Sequence, residues 1–148
     1  MKNRLYCTVF ALALGLFGCG GPTGPSSLST TDDFIARLRE AGASVQRMGQ
    51  VSGDPLFSVP GTVLSVNDPR PRVWVHEYAT PRQAADEAAG VPPKTVLITF
   101  VATPHVYQAG QLVVVYTGIS PEMRQLLDRI LGAPVYSDPY SYDHLGGP

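Results

Sequence analysis

The chain has 148 residues, 44% hydrophobic and 16% charged, with 11 basic against 12 acidic side chains and a formal net charge of -1. Those values suit one compact domain of about 100 to 150 residues. No basic run exceeds two residues, so the phosphate-neutralising surface that nucleic-acid binding requires is missing and a nucleic-acid partner is excluded. In chain order, the first feature is a charged start at Lys2 and Arg4, then an apolar run over 5–17 and Gly18-Cys19, the pattern of a secretory signal. As a helix this run extends only about 20 Å at ~1.5 Å per residue, too short for a hydrocarbon core of ~30 Å. It is therefore read as a signal segment and not as a transmembrane anchor.

Leu16-Phe17-Gly18-Cys19 resembles the lipobox of bacterial lipoprotein precursors, with Phe17 departing from the small or β-branched residue usual there. The resemblance implies cleavage before Cys19 and acylation of that cysteine, by palmitate or a similar chain. It places the protein in the bacterial cell envelope, on the extracytoplasmic side of a membrane, the outer membrane being open if the cell has two. The competing reading is ordinary secretion with cleavage a few residues later. Loss of residues 1–18 removes Lys2, Arg4 and Cys7, leaving 9 basic against 12 acidic residues and a net charge of -3. A slightly acidic body gains nothing from anionic lipid, so lipid on Cys19 is the expected membrane contact. The body then has no cysteine for disulfides, thiol catalysis or metal binding.

Residues 19–30 are rich in Gly, Pro, Ser and Thr and read as a flexible tether, with a folded domain over 31–135. The first helix is expected over 32–41, with Thr31 as a capping candidate and Phe34, Ile35, Leu38 and Ala41 on one face. Strands are expected at 44–51, 62–67 and 72–78, with a turn over 67–71. Thr80-Pro81-Arg82-Gln83 opens a second helix that ends at Gly90, its inner face built from alanines. Strands over 95–102 and 111–117 are apolar on both faces and belong in the centre of a sheet, with a turn at Ala109-Gly110 and Pro104 interrupting or kinking the earlier strand. Ser120-Pro121-Glu122 opens the third helix, which carries Met123, Leu126, Leu127, Ile130 and Leu131 on one face and stops at Gly132 and Pro134. Residues 136–148 are read as an irregular tail. The pattern predicts an α+β domain, a single antiparallel-rich sheet of about five strands with three helices packed mainly on one face.

Stretches such as LREAGASV, FSVPGTVLSVN, VHEYAT and VATPHVYQAGQLVVVYTG are similar to those of small bacterial lipoprotein domains without an assigned activity. No reaction follows from that resemblance. His76 and Glu77 are adjacent in a strand and point to opposite faces, no HExxH or GxSxG motif is present, and Ser58 lies in a Pro/Gly loop. Asp86-Glu87 and Asp32-Asp33 take ordinary helix positions, and Asp138 and Asp143 lack the spacing of a calcium loop. No cofactor, metal site or catalytic residue is nominated. The binding candidate is aromatic: Trp74, His76 and Tyr78 alternate onto one strand face, and if the sheet brings the segment of His105 and Tyr107 beside them, the five form a surface for a protein, peptide or glycan. The bland alternative packs Trp74 and Tyr78 under a helix with His76 hydrogen-bonded internally. The leading functional reading is a non-enzymatic binding or interaction module. Its rivals are a small envelope hydrolase or metal-binding protein using His76 and His105, and a purely structural envelope domain.

Overall fold

A computed structural model describes residues 28–91 and 104–137. Helix α1 spans Thr31–Glu40. Its cap is Thr30 and not Thr31: the Thr30 hydroxyl accepts from the Asp33 amide, and the Asp33 carboxylate accepts in return from the Thr30 amide at 3.0 Å. This reciprocal box satisfies two of the helix's unpaired donors. The same carboxylate accepts from the Ser29 hydroxyl at 2.8 Å. Hydrogen bonds from Ser29 and Thr30 hold its pKa below the ordinary carboxylate value. Thr31 is thereby released to donate from both its amide and its hydroxyl to Glu77 Oε2.

Six strands follow one antiparallel order, β1-β2-β3-β5-β4-β6. They are β1 (Val45–Val51), β2 (Gly61–Val66), β3 (Asp68–Glu77), β4 (Pro104–Ala109), β5 (Leu112–Thr117) and β6 (Tyr136–Ser137). Helix α2 (Pro81–Ala89) lies between β3 and β4, and α3 (Pro121–Leu131) between β5 and β6. The described residues form an α+β fold as the sequence indicates, with six strands instead of about five. The strand expected over 95–102 falls outside the described residues. The described part of β4 begins at Pro104, a strand position that proline tolerates; the expected interruption of a 95–102 strand falls outside the described residues. The start of the expected irregular tail pairs with β4 as β6, through Val106↔Tyr136 and His105↔Ser137.

Both faces of the sheet are covered: two of the described helices lie on one face, in line with the expected packing mainly on one side, and the third lies on the other. Helices α1 and α3 press Phe34, Leu38, Met123 and Leu127 onto Leu64, Val73, Val75 and Val114. On the opposite face α2 and the 52–60 loop press Ala84, Ala88, Leu56 and Phe57 onto Val106, Val113 and Val115. The cause is in β5 itself: its buried residues alternate between the two cores, so leaving a face bare would expose Leu112, Val114 and Tyr116 on one side or Val113 and Val115 on the other. Pro69 and Pro71 are accommodated in β3 because the β2 ladder passes from Ser65↔Arg72 to Val66↔Asp68. The residues between these pairs are skipped, so no amide hydrogen is required of them.

The long edge of the sheet, opposite the two-residue β6, is β1, whose residues after Val45 are all exposed. Its pairing with β2 shifts between Arg47 and Gly49, leaving Met48 as an inserted residue. Arg47 reaches back to Asp32 at 2.7 Å. At that exposure the pair contributes little to stability.

The folded region begins earlier than the expected boundary at residue 31. Leu28 is buried in the α1 and α3 core, and its carbonyl accepts from the Gln111 amide at 2.9 Å. Gln111 belongs to the two-residue turn, Gly110-Gln111, that joins β4 to β5. Gly110 adopts a φ of 57°, which the turn requires and glycine supplies without steric cost.

Candidate functional site

Trp74, His76 and Tyr78 share one face of β3, as strand alternation demands. They do not form an open surface. Tyr78 is buried and Trp74 half-buried against the core formed by α2 and the 52–60 loop. His76 is 1% exposed and tilts its ring against Phe57 at a centroid distance of 4.1 Å. The Val59 carbonyl lies 3.1 Å from His76 Nδ1, and a carbonyl can only accept, so Nδ1 carries the proton. Nε2 is buried and finds no hydrogen-bond partner. It faces Gly61, where a Cβ would stand 2.7 Å from the ring. Burial therefore lowers the His76 pKa, against the opposing influence of the Val59 carbonyl and the Asp54 and Glu87 carboxylates. The uncharged ring is a packed core element.

His105 and Tyr107 lie on the other side of the sheet. The registers are decisive: His76 opposes Val113 on β5, whereas Tyr107 opposes Val114 and His105 opposes Tyr116. Directly paired residues share a face, so the two groups are separated by the thickness of the sheet. His105 stacks on Tyr116 at 5.9 Å and its Nδ1 is 3.0 Å from the Ser137 hydroxyl. Tyr107 donates to Asp128 on α3 at 3.0 Å, and burial pushes its phenol pKa up. The five residues do not make one binding face, and His76 and His105 do not share a metal or hydrolytic centre. Among the described residues no three His, Cys, Asp or Glu side chains come close enough to hold a metal ion. Cys19 lies outside the described residues.

A different site emerges beside the aromatic strand. The 52–60 loop, the end of β3 and one side of α2 enclose a cleft of about 620 Å³ lined by Ser58, Val59, Tyr78, Gln83, Asp86 and Glu87, with Ala79 and Gly90 at its margins. Helix α2 is fixed over it by its start. Thr80 accepts from the Gln83 amide at 3.2 Å and Pro81 occupies the first helical turn. Small Ala84 and Ala88 let the helix lie close to the sheet. The wall contributed by the sheet is the Tyr78 ring. Its phenol pKa is raised, first by burial and then by the Glu87 carboxylate. Ser58 opposes that rise, yet the phenol oxygen makes no hydrogen bond of acceptable geometry.

Sequence reasoning passed over this cleft because Ser58 reads as a turn residue and Asp86-Glu87 as ordinary helix surface. The available signal was positional. Gln83, Asp86, Glu87 and Gly90 recur at offsets 0, 3, 4 and 7 and form a stripe beside the buried alanines. A second cleft of about 440 Å³ lies at the opposite end of the strands, between the 41–43 turn, Asn67 and the start of α3. Compared with known protein families, curated proteins and solved structures, the chain matches none.

Proposed function

We propose that the protein is a lipid-anchored, non-enzymatic binding module of the bacterial cell envelope, and that it receives a basic segment of a protein or peptide in the α2 cleft. The observation that supports this is the composition of the cleft. Its volume lies within the ~300 to 1,000 Å³ usual for ligand sites, with Val59 and the Tyr78 ring as an apolar wall and Gln83, Asp86 and Glu87 as polar groups on α2. A lysine-like group suits both, its aliphatic stem lying on the wall and its ammonium reaching the carboxylates. Asp86 already faces Arg82 at 3.9 Å, but both side chains are exposed, and such a pair is readily exchanged for another partner.

Titration of the folded domain with lysine amide, followed by amide NMR shifts, tests the cleft. Shifts are expected at Ser58, Ala79, Gln83 and Gly90. The Asp86→Asn, Glu87→Gln double variant should bind about fivefold more weakly, on the scale of a partly exposed charge interaction. Unchanged affinity in that variant, or shifts confined to other regions, refutes the assignment. The anchor has a separate test: Cys19→Ser should leave the membrane fraction and lose the mass of the acyl chains. A variant that stays membrane-bound with unaltered mass removes Cys19 as the lipid site.

A further inference from the structure

One polar atom in the wall of the α2 cleft is left without a partner among the described residues. Tyr78 is 5% exposed, and its phenol oxygen is buried with no hydrogen bond. Burial raises the phenol pKa, so the group keeps its proton and offers both a donor and an acceptor. A buried group of this kind destabilises the fold for as long as it stays unsatisfied.

The residues that act on the phenol locate it. Ser58 lies beside it on the 52–60 loop and the Glu87 carboxylate acts on it from α2, and both residues line the cleft. The oxygen therefore sits at the cleft floor, between the loop wall and the helix wall. Ser58 is exposed, so rotation about its one side-chain bond uncovers the oxygen without moving the backbone.

A lysine-like ligand sets its ammonium at the Asp86 and Glu87 carboxylates, with its stem along the Tyr78 ring. A primary ammonium carries three N–H donors. Two serve the carboxylates, and the third is within the same confined space as the phenol oxygen. A trimethylammonium has equal charge and no N–H, so it leaves that oxygen unsatisfied.

We infer that Tyr78 sets the specificity of the cleft: its phenol oxygen accepts an N–H of a primary ammonium, so that unmodified lysine is taken in preference to trimethyl-lysine. This holds only if the α2 cleft is the lysine site proposed above. The opposing chemistry is cation–π attraction, which favours methylated cations where several rings surround them. Tyr78 is the one aromatic side chain among the described residues that line the cleft.

The test titrates the full chain, purified as the cell processes it, with lysine amide and with Nε-trimethyl-lysine amide, in wild type and in Tyr78→Phe, by amide NMR shifts. Wild type is expected to bind lysine amide about fivefold or more tightly than the trimethyl form, the effect of one unsatisfied buried hydroxyl. Tyr78→Phe should bind the two within about twofold, and its urea midpoint should equal or exceed that of wild type, since only an unsatisfied hydroxyl has gone. Steric exclusion of the methyl groups would survive the substitution. Discrimination that persists in Tyr78→Phe, a wild-type preference for the trimethyl form, or a lowered urea midpoint overturns the inference. The cleft assignment still stands in those cases if lysine amide binding weakens in the Asp86→Asn, Glu87→Gln variant. Binding indifferent to that variant removes the assignment and the inference together.

Discussion

Gly110→Ala is expected to destabilise the domain by about 2 to 5 kcal/mol, read as a lowered urea midpoint at an unchanged m value. Two separate costs combine. The left-handed conformation at φ 57° costs a residue with a Cβ about 1 to 2 kcal/mol. Forcing an atom into packed surroundings costs about 1 to 3 kcal/mol more, and here the obstacle is the Leu28 main chain, which cannot rotate aside as a side chain would. Gly42→Ala separates the two. Gly42 has a φ of 87° in the turn that closes α1, where its amide donates to the Arg39 carbonyl and the Ala43 amide to that of Leu38, but no atom lies within 4 Å of the added Cβ, so only the conformational cost of about 1 to 2 kcal/mol applies. If the two variants lose equal stability, the Leu28 main chain yields freely and is not a fixed point of attachment.

Acidification should weaken the fold through His76, and His76→Asn should remove that part of the dependence. The folded-state pKa lies below the ordinary histidine value of 6.5 because the ring is desolvated. Between the two values the unfolded chain takes up a proton that the native state does not, so stability falls as pH drops through 6.5 toward the native pKa, and is level above it. The slope approaches about 1.4 kcal/mol per pH unit in that window. Asparagine at 76 offers an amide donor for the Val59 carbonyl without a titrating group. Urea midpoints at pH 7.5, 6.5 and 5.5 should diverge between wild type and variant as pH falls. Parallel curves would show that the native ring accepts a proton where it stands, contrary to an Nε2 without a partner.

Local chemistry made much of this fold legible. Thr80-Pro81 and Ser120-Pro121 marked helix starts because a hydroxyl followed by proline satisfies and shapes the first turn whatever the tertiary surroundings. The 112–117 segment was recognisable as a central strand from valines on both faces. At α1 the same reasoning settled on the wrong threonine. Two adjacent candidates differ only in where their side chains go, and Glu77, distant in sequence, decides that Thr31 is occupied elsewhere. The candidate site depended even more on long-range information. Whether His105 and Tyr107 join Trp74 and His76 turns on a one-residue register against β5, and alternation along each strand is the same in either register. The cleft residues come from a loop, a strand end and a helix, and only the helical stripe leaves a trace in the spacing of the sequence.

The inserted Met48 on β1 has a bearing on crowding. A seven-residue edge strand that no other described strand pairs on its outer side is a template for edge-to-edge polymerisation, and the lipid anchor proposed above would sharpen that hazard by concentrating copies on a membrane. The bulge breaks the regular spacing of that template midway, and Arg47 beside it places a charge along the line of approach. Both features make this edge a poor template for pairing with the sheet of a second copy.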